Sequence, residues 1–260
     1  MELKELIGNR RSIRYFQPWR PVEKEKIQKM LEAARLASRA VNQAFFRAVV
    51  VYRDDLTPEQ VEGLKTPTTT TDLDLAPVFI FWFLDPSAPL KGKESLRPLV
   101  DAGALNASHG WSYKYIDEVV YPTVLEPIVQ TPEVALAVAG CEAGLAICQA
   151  MLVAYDEGLG VCLHGASPAM VNELVNPPEG LVHLWVMLVG YPAEDSKAGG
   201  QRPREPFEQD FFLGNFQTPF PRDEKVVAEL KAAKMFQEPA PFPWRKAEVS
   251  ALARMFGLPE

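Results

Sequence analysis

The chain has 260 residues, of which 47% are hydrophobic and 23% are charged, a composition typical of folded globular proteins rather than disordered ones. This length accommodates one large domain or two small ones with a substantial core. The formal net charge of −7 argues against a general nucleic-acid binder, because binding along a phosphate backbone requires a positive protein surface.

The first predicted elements are a short helix over residues 2–9 and a basic segment directly after it, Arg10 to Arg14 (RRSIR). A guanidinium group offers a planar fork of donors that fits a phosphate, and the Ser12 hydroxyl can bond the same oxygens. If the segment is extended, Arg10, Ser12 and Arg14 point to one side and can meet one ligand. In an acidic protein this pattern favours a small anionic ligand. The alternative is a solvated basic turn ahead of the next helix.

Two helices and two strands are predicted between this segment and residue 84. Apolar residues at helical spacing mark the first helix, a valine-rich run marks the first strand, and a continuous apolar run marks a strand that is covered on both faces. A capping box with proline at the first helical position marks the second helix. In chain order, these elements are a helix from Pro21 through Val22 to Ser38, a strand from Phe45 to Tyr52, a short helix beginning at Thr57-Pro58, and a strand from Ala76 to Leu84.

Residues 85–130 follow a weaker pattern, in which proline, glycine and aromatic residues alternate with charged ones. We predict helices separated by loops in this region. They form either an inserted cover over a site or a plain peripheral layer of helices, and the pattern alone leaves both open.

The longest apolar segment runs from Val134 to Tyr155. It is long enough to cross a membrane, but Glu142 near its middle would cost about 2.5–3.5 kcal/mol in a bilayer. A helix that is apolar on all sides is otherwise the central helix of a folded protein, often one shared with a partner subunit. We therefore predict a buried helix and no membrane contact.

The C-terminal part of the chain predicts further strands and helices joined by proline-rich segments. Gly158 suits the left-handed end of the long helix, and Ser167-Pro168 suits the start of another. The predicted elements are a strand from Val161 to His164, a helix after Ser167, a strand from Leu181 to Tyr191, and helices from Asp223 to Met235 and from Lys246 to Phe256.

Cysteine and histidine usage limits the chemistry further. Cys141 and Cys148 lie on one predicted helix, too far apart for a disulfide. Cys162 and His164 could supply two metal ligands, but no partners stand at metal-site spacing, so we predict no metal site. The start Met-Glu-Leu-Lys lacks the pattern of a secretory signal, which favours a cytoplasmic protein.

Four features occur in a fixed order along the chain. They are the basic element RRSIR, the stretch from Ala34 to Asn42 followed by Phe46-Arg47 and an apolar strand, the long helix that runs into Gly158-Leu159-Gly160 and His164-Gly165, and Gly190-Tyr191-Pro192 followed by Arg202-Pro203-Arg204-Glu205-Pro206. Each is weak alone, but together they resemble the FMN-dependent nitroreductase family from Met1 to about Gln209.

The resemblance implies an α+β fold with a central mixed, mainly antiparallel sheet flanked by helices, in an intertwined homodimer. It assigns residues 1–210 to an FMN-binding domain with a helical insertion at about residues 86–130. Residues 211–260 form a C-terminal extension, which we expect to wrap the partner subunit; covering the site is the alternative.

The resemblance also implies which residues bind FMN. In the family, the N-terminal basic element and the basic pair after Gly-Tyr-Pro enclose the phosphate, and Arg14 would lie nearer the N1–C2 edge of the ring, where a cation stabilises the anionic reduced flavin. The loop matching Ser38 to Asn42 approaches from the other subunit, and Gly165 with Ala166 faces flavin N5 and O4. The predicted cofactor-binding residues are Arg10, Arg11, Ser12, Arg14, Ser38, Arg39, Asn42, Gly165, Ala166, Arg202 and Arg204.

The implied function is an FMN-dependent oxidoreductase that takes hydride from NADH or NADPH and passes it, by a ping-pong mechanism, to a nitroaromatic, quinone or activated alkene. The flavin carries the chemistry, so no catalytic side chain is required. His164 is an alternative general acid, although a histidine at a strand end usually packs locally. The aromatic-rich stretch from Trp111 to Tyr121, including Tyr115, and the phenylalanine-rich tail are candidate walls for a planar acceptor. A flavin carrier or sensor without turnover, and a sibling activity such as reductive dehalogenation, remain alternatives.

The chain departs from the family pattern at two places. It has Ser38-Arg39-Ala40 where the family commonly has Pro-Ser-Ser, and Ala44-Phe45-Phe46 where the family commonly has Gln-Pro-Trp. Phosphate binding is little affected by these changes, but they leave the ring and substrate contacts open. The stretch from Thr68 to Asp72 corresponds loosely to family residues near the pyrimidine of the ring.

Overall fold

Four apolar runs of the sequence form one sheet in the computed structural model, which describes residues 2–258. The strands are β1 (Phe46–Tyr52), β2 (Val78–Leu84), β3 (Gly160–His164) and β4 (Val182–Gly190). Their order across the sheet is β1-β2-β4-β3, and each neighbouring pair is antiparallel. An isolated parallel bridge between Ser12 and Val161 adds the N-terminal segment beside β3. The predicted α+β fold with a mainly antiparallel sheet is confirmed.

Helices cover the sheet, and a π-helical segment (Ile116–Leu125) interrupts one run of them. The α-helices are α1 (Leu3–Asn9), α2 (Lys24–Arg35), α3 (Pro58–Leu64), α4 (Thr71–Leu75), α5 (Gly92–Asp101), α6 (Tyr113–Tyr115), α7 (Glu126–Gln130), α8 (Pro132–Asp156), α9 (Pro168–Val175), α10 (Phe207–Asp210), α11 (Glu224–Ala232) and α12 (Arg245–Phe256).

Strand β2 is the centre of the core because it pairs with β1 on one side and β4 on the other. All seven of its residues are buried. Alternate side chains enter opposite layers: Phe79, Phe81 and Phe83 pack in one apolar cluster, and Ile80 and Trp82 pack in the other. The continuous apolar run therefore predicts correctly a strand that is covered on both faces.

Helix α8 is the long apolar helix predicted from the sequence, and it packs against α2 and the sheet. Its contact face is built from small residues at helical spacing, Ala139, Ala143, Ala146, Ala150 and Ala154, each buried. Within residues 2–258 it is the one helix that is long and apolar enough to span a membrane. The contacts of its alanine face are those of a core helix, as predicted, while Val134, Leu136 and Leu145 remain exposed.

Helix α2 is shorter at both ends than the sequence predicts. Pro21 and Val22 lie before the helix, and Glu23 is the N-cap residue in extended conformation. The Tyr191 hydroxyl donates a 2.7 Å hydrogen bond to the Glu23 carboxylate, and Val22 is buried in the core. These long-range contacts hold the approach to the helix extended, which a local pattern does not reveal.

The predicted helical insertion forms its own small layer. Its buried residues Leu96, Ile116, Val120 and Leu125 make a cluster separate from the two main apolar clusters. Ser95 donates a 2.6 Å hydrogen bond to the Val41 carbonyl, so the layer packs on the loop after α2.

The C-terminal extension folds back on the N-terminal helix of its own chain. Gln201 exchanges backbone hydrogen bonds of 2.8 and 2.9 Å with Glu238 and Ala240. Lys234 forms a 2.8 Å ion pair with Glu5 on α1, and the Phe256 ring stacks on Tyr15 with centroids 6.5 Å apart. Contact between this extension and a partner subunit stays a prediction.

Gly8→Ala is expected to loosen the extension from α1. A Cβ at this position would lie 2.2 Å from the Lys234 carbonyl oxygen. This oxygen belongs to the backbone, so it cannot move aside as the end of a flexible side chain could. We expect a loss of about 1–3 kcal/mol in the free energy of unfolding, typical of overpacking. Limited proteolysis should then cut residues 206–240 faster. Lys4→Ala, exposed on the same helix, is the control; equal proteolysis of the two variants would contradict the packing.

Candidate functional site

The basic N-terminal segment is held extended between β3 and the chain that follows β4. Ile13 donates a 3.0 Å backbone hydrogen bond to Val161 on β3, and Ala193 donates one of 2.8 Å to Tyr15. Side chains alternate as predicted: Arg11 and Ile13 are buried, while Arg10, Ser12 and Arg14 lie towards the surface.

A buried carboxylate fixes the end of this segment. Glu194 Oε1 accepts hydrogen bonds from the backbone N–H groups of Arg14 and Tyr15, at 2.6 and 3.1 Å. Its Oε2 accepts a 2.5 Å hydrogen bond from Arg245 on α12, and the Glu194 side chain has no exposed surface. Arg245 is held in turn by Glu248, 2.6 Å away. One acidic residue thus joins three distant parts of the chain.

Both basic clusters predicted from the sequence line one cavity of about 850 Å³. The N-terminal cluster contributes Arg10, Arg11, Ser12 and Arg14, and the cluster after β4 contributes Arg202 and Arg204. These two stretches are far apart in sequence, so their convergence is a property of the fold. The combined set, which we call the arginine clamp, forms one wall of the cavity.

Arg11 ties the two halves of the arginine clamp together. Its Nη1 donates to the carbonyls of Gly8 and Arg10, at 2.7 and 2.8 Å, and its Nε donates to the Gly200 carbonyl at 3.1 Å. Burial lowers the pKa of Arg11, and the neighbouring charges of Arg10, Arg202 and Arg204 lower it further. The guanidinium groups therefore stand close enough to repel one another, which an anion between them would relieve.

The rest of the cavity lining comes mainly from Phe207 and the C-terminal extension, and it combines apolar side chains with the acidic residues Glu205, Asp210 and Asp223. Phe207 packs against Phe211 and Phe220, with ring centroids 4.7 and 6.3 Å apart. Val227 on α11 and Phe236 line the same cavity. The sequence left two roles open for this extension, wrapping the partner subunit or covering the site, and its residues line the cavity of the arginine clamp.

A second cavity of about 390 Å³ shares Arg14 with the first. The other residues that line it are Tyr15, Thr68, Thr70, Thr71, Asp72, His164 and Leu258. The stretch from Thr68 to Asp72, which the sequence associates loosely with a flavin ring, therefore lies beside the residue predicted to reach the ring edge.

His164 belongs to a buried polar cluster at this second cavity. Its Nε2 contacts the Asp72 carboxylate and lies 3.2 Å from Cys162 Sγ, and its Nδ1 lies 3.2 Å from the Thr69 hydroxyl. The hydrogen bonds with Asp72 and Cys162 raise the pKa of His164 to about 9, against the opposing effect of burial. The imidazole is thus fixed on both nitrogens.

Gly165 and Ala166 follow directly after His164 at the end of β3. A Cβ added to Gly165 would meet no protein atom within 4 Å, and the backbone there is not left-handed. The fold itself therefore does not require glycine at this position. Ala166 is buried in the apolar cluster with Ile13 and Cys162.

The loop from Ser38 to Asn42 lies apart from both cavities. Ser38 and Asn42 are exposed, and Arg39 stacks over the Phe46 ring with its Cζ 5.0 Å from the centroid. Ala40 donates a 3.1 Å backbone hydrogen bond to Glu142 on α8. The other oxygen of Glu142 and the Arg39 Nε are buried with no hydrogen-bond partner among residues 2–258. The structure therefore brings the residues of the arginine clamp together, but it leaves the loop from Ser38 to Asn42 apart from them.

Comparison with known families assigns the fold. The model of the nitroreductase family matches residues 7–191, which include the basic N-terminal element and all four strands. The chain belongs to the nitroreductase family. This match confirms the predicted family. Proteins of the family bind FMN, and the predicted cofactor is therefore confirmed as well.

Solved structures share the nitroreductase fold at low sequence identity. A protein from Exiguobacterium sibiricum, described as a nitroreductase and solved in complex with FMN, is 19% identical with TM-score 0.64, covering 82% of this chain and 97% of its own. A protein from Staphylococcus epidermidis, described as an NAD(P)H:FMN oxidoreductase, is 17% identical with TM-score 0.62, covering 79% and 92%.

A third similar structure is CLA-ER, an enone reductase of gut-bacterial fatty acid saturation. It is 21% identical with TM-score 0.61, and the match covers 85% of this chain and 98% of the other. No curated protein matches the chain in sequence.

The family pattern alone does not reveal several residues that shape this site. Glu194 and Arg245 belong to no sequence motif. Nothing in the sequence indicates that these two residues form an ion pair, because only the fold brings them together. Asp72 lies in the stretch that aligns loosely with the family. Only the fold brings it beside His164.

Glu194→Ala is expected to lower the free energy of unfolding by about 3–5 kcal/mol, because it leaves Arg245 half-satisfied in a buried site. Amide hydrogen exchange at Arg14 and Tyr15 should also accelerate. Glu5→Ala removes an ion pair in which Lys234 is 65% exposed and should cost less than about 1 kcal/mol. Denaturant unfolding and exchange mass spectrometry measure both effects; similar values for the two variants would show that Glu194 does not organise the segment.

Proposed function

We propose that this nitroreductase-family chain is an FMN-dependent oxidoreductase, with its arginine clamp holding the flavin phosphate. The observation that carries the proposal is the convergence of Arg10, Ser12, Arg202 and Arg204 on one cavity. Guanidinium groups and a hydroxyl are the donors that suit a phosphate dianion. The positive charge of the clamp in a chain of net charge −7 supports an anionic occupant.

The donor set fits FMN at two further points. Arg14 lines both cavities, so a ligand whose phosphate lies in the arginine clamp can continue past Arg14 towards Thr68 and Asp72. Gly165 leaves open space where a side chain would otherwise stand, which suits the close approach of a ring edge to its backbone N–H. Arg11, whose Nε and Nη1 donate to backbone carbonyls, mainly positions the clamp.

When bound, FMN supplies hydride transfer between a nicotinamide donor and an acceptor. The protein binds the phosphate, orients the ring through Arg14 and the backbone at Gly165 and Ala166, and holds a proton on His164 beside Asp72 at neutral pH. We propose NADH or NADPH as the donor and a small planar, electron-poor organic molecule as the acceptor. A nitroaromatic, a quinone and an activated alkene are the three classes to test.

The same proposal includes a homodimer and a cytoplasmic location. Helix α8 leaves Val134, Leu136 and Leu145 exposed, an apolar surface that suits an equivalent helix of a second subunit. The loop from Ser38 to Asn42 would then reach the site of the partner subunit, since it meets neither cavity of its own chain. Trp111 and Tyr115 also line neither cavity, so a role as acceptor walls requires the partner site as well.

Arg202→Ala and Arg10→Ala are each expected to weaken FMN binding about tenfold to a hundredfold. Each removes a charge-assisted hydrogen bond, worth about 1.5–3 kcal/mol. Quenching of FMN fluorescence during titration measures the dissociation constant. Arg35→Ala removes an exposed arginine that pairs with Glu32 on α2 and should leave binding unchanged. Unchanged FMN binding in Arg202→Ala and Arg10→Ala, or an equal loss of binding in all three variants, would show that the arginine clamp does not bind the phosphate.

Anaerobic spectroscopy tests the enzymatic part of the proposal. NADH or NADPH should bleach the flavin of the purified protein, and a nitroaromatic, quinone or enone should restore its colour. Steady-state rates should give parallel double-reciprocal lines, because donor and acceptor occupy the same ring face in turn. Tight FMN binding with no bleaching by either nucleotide would favour the carrier or sensor without turnover.

A further inference from the structure

Asp72, Cys162 and His164 place three different metal-ligand atoms around one point. The carboxylate oxygen, the thiol sulfur and the imidazole Nε2 all lie within 4.8 Å of one another. Cys162 and His164 are two residues apart on β3, so both side chains leave the same face of the strand. Asp72 lies on α4, far from β3 in sequence, and belongs to the stretch from Thr68 to Asp72 that lines the second cavity.

One proton on His164 Nε2 is shared between two possible acceptors in this cluster. Nε2 of His164 carries at most one proton, yet both the Asp72 carboxylate and the Cys162 sulfur lie within reach of that same nitrogen. The other ring nitrogen is occupied by the Thr69 hydroxyl, so it cannot serve either group. A cation at the centre of the three atoms would satisfy all of them at once.

We propose that Asp72, Cys162 and His164 bind a divalent transition metal of the zinc class. A thiolate, an imidazole and a carboxylate are ligands that zinc accepts together, whereas the thiolate disfavours magnesium and calcium. One thiolate and one carboxylate balance the charge of a divalent ion. This site goes beyond the proposed oxidoreductase function, and a metal ion bound at Nε2 would displace the proton that His164 otherwise holds beside Asp72.

The surroundings supply the features of a metal site with an open position. Asp72 and Cys162 are buried, at 7% and 2% exposure, and Thr69, which is fully buried, orients the imidazole as outer-shell partners of metal-bound histidines do. His164 and Asp72 also line the second cavity, which gives the ion an entry path and leaves its fourth position open to solvent or a small ligand.

Sequence spacing alone could not have indicated this site. The prediction of no metal site rested on the absence of partners for Cys162 and His164 at the spacing of known motifs. The third ligand atom comes from a residue that only the tertiary structure brings near.

Cobalt(II) is the probe that reports on the sulfur directly. The full-length protein, cleared of metal with a chelator, is expected to bind one equivalent of Co²⁺ with a thiolate-to-cobalt charge-transfer band and visible bands to the red of flavin absorption. Cys162→Ser should abolish the charge-transfer band and weaken Zn²⁺ binding at least tenfold, measured by competition with a chromogenic chelator. Cys141→Ser, an exposed cysteine on α8, is the matched control and should bind as the wild type does.

X-ray absorption at the zinc edge makes the test independent of whether the variants fold. Zinc-loaded wild-type protein should show one sulfur at about 2.3 Å with nitrogen or oxygen ligands at about 2.0 Å. A shell of nitrogen and oxygen alone, or Zn²⁺ affinity equal in wild type and Cys162→Ser, would overturn the site. FMN content, measured in parallel, separates this outcome from the proposed function, since the arginine clamp should bind the phosphate with or without the metal.

Discussion

The carboxylate of Glu194 is the constraint on which the candidate site depends. Its two oxygens hold the backbone of Arg14 and Tyr15 on one side and the Arg245 guanidinium on the other, with no water-exposed surface of its own. A charge buried in this way is stable only while its partners stay in place. The N-terminal segment, the chain after β4 and α12 are therefore positioned together, and the arginine clamp is a consequence of that arrangement.

The arginine clamp concentrates positive charge on part of one cavity in a chain of net charge −7. Arg11 places its donors on the carbonyls of Gly8, Arg10 and Gly200, which partly offsets the repulsion from neighbouring guanidiniums. Phe207, Phe211 and Phe220 line the same cavity, with Phe211 and Phe220 partly open to solvent.

Much of the fold could be predicted because its signals are local. The continuous apolar run of β2, the length and composition of α8 and the capping box at Thr57 each follow from residues close in sequence, and the structure has them where they were expected. The start of α2 was misplaced because Tyr191 holds Glu23 from across the molecule. The same limit applies at the site: the arginines were recognisable as a pattern, while Glu194 and Asp72 acquire meaning only from their partners in space.

The hydrogen bond from Arg14 to Glu194 also bears on how the protein forms during synthesis. It spans 180 positions of sequence, and Arg245 follows a further 51 positions after Glu194. A ribosome would release the basic segment long before the residues that hold it, so this segment emerges with its guanidiniums unrestrained. Contacts of such large sequence separation form late. The cavity of the arginine clamp would therefore be completed only after translation has passed α12, and nascent chains stalled before that point would lack the buried carboxylate network that shapes it.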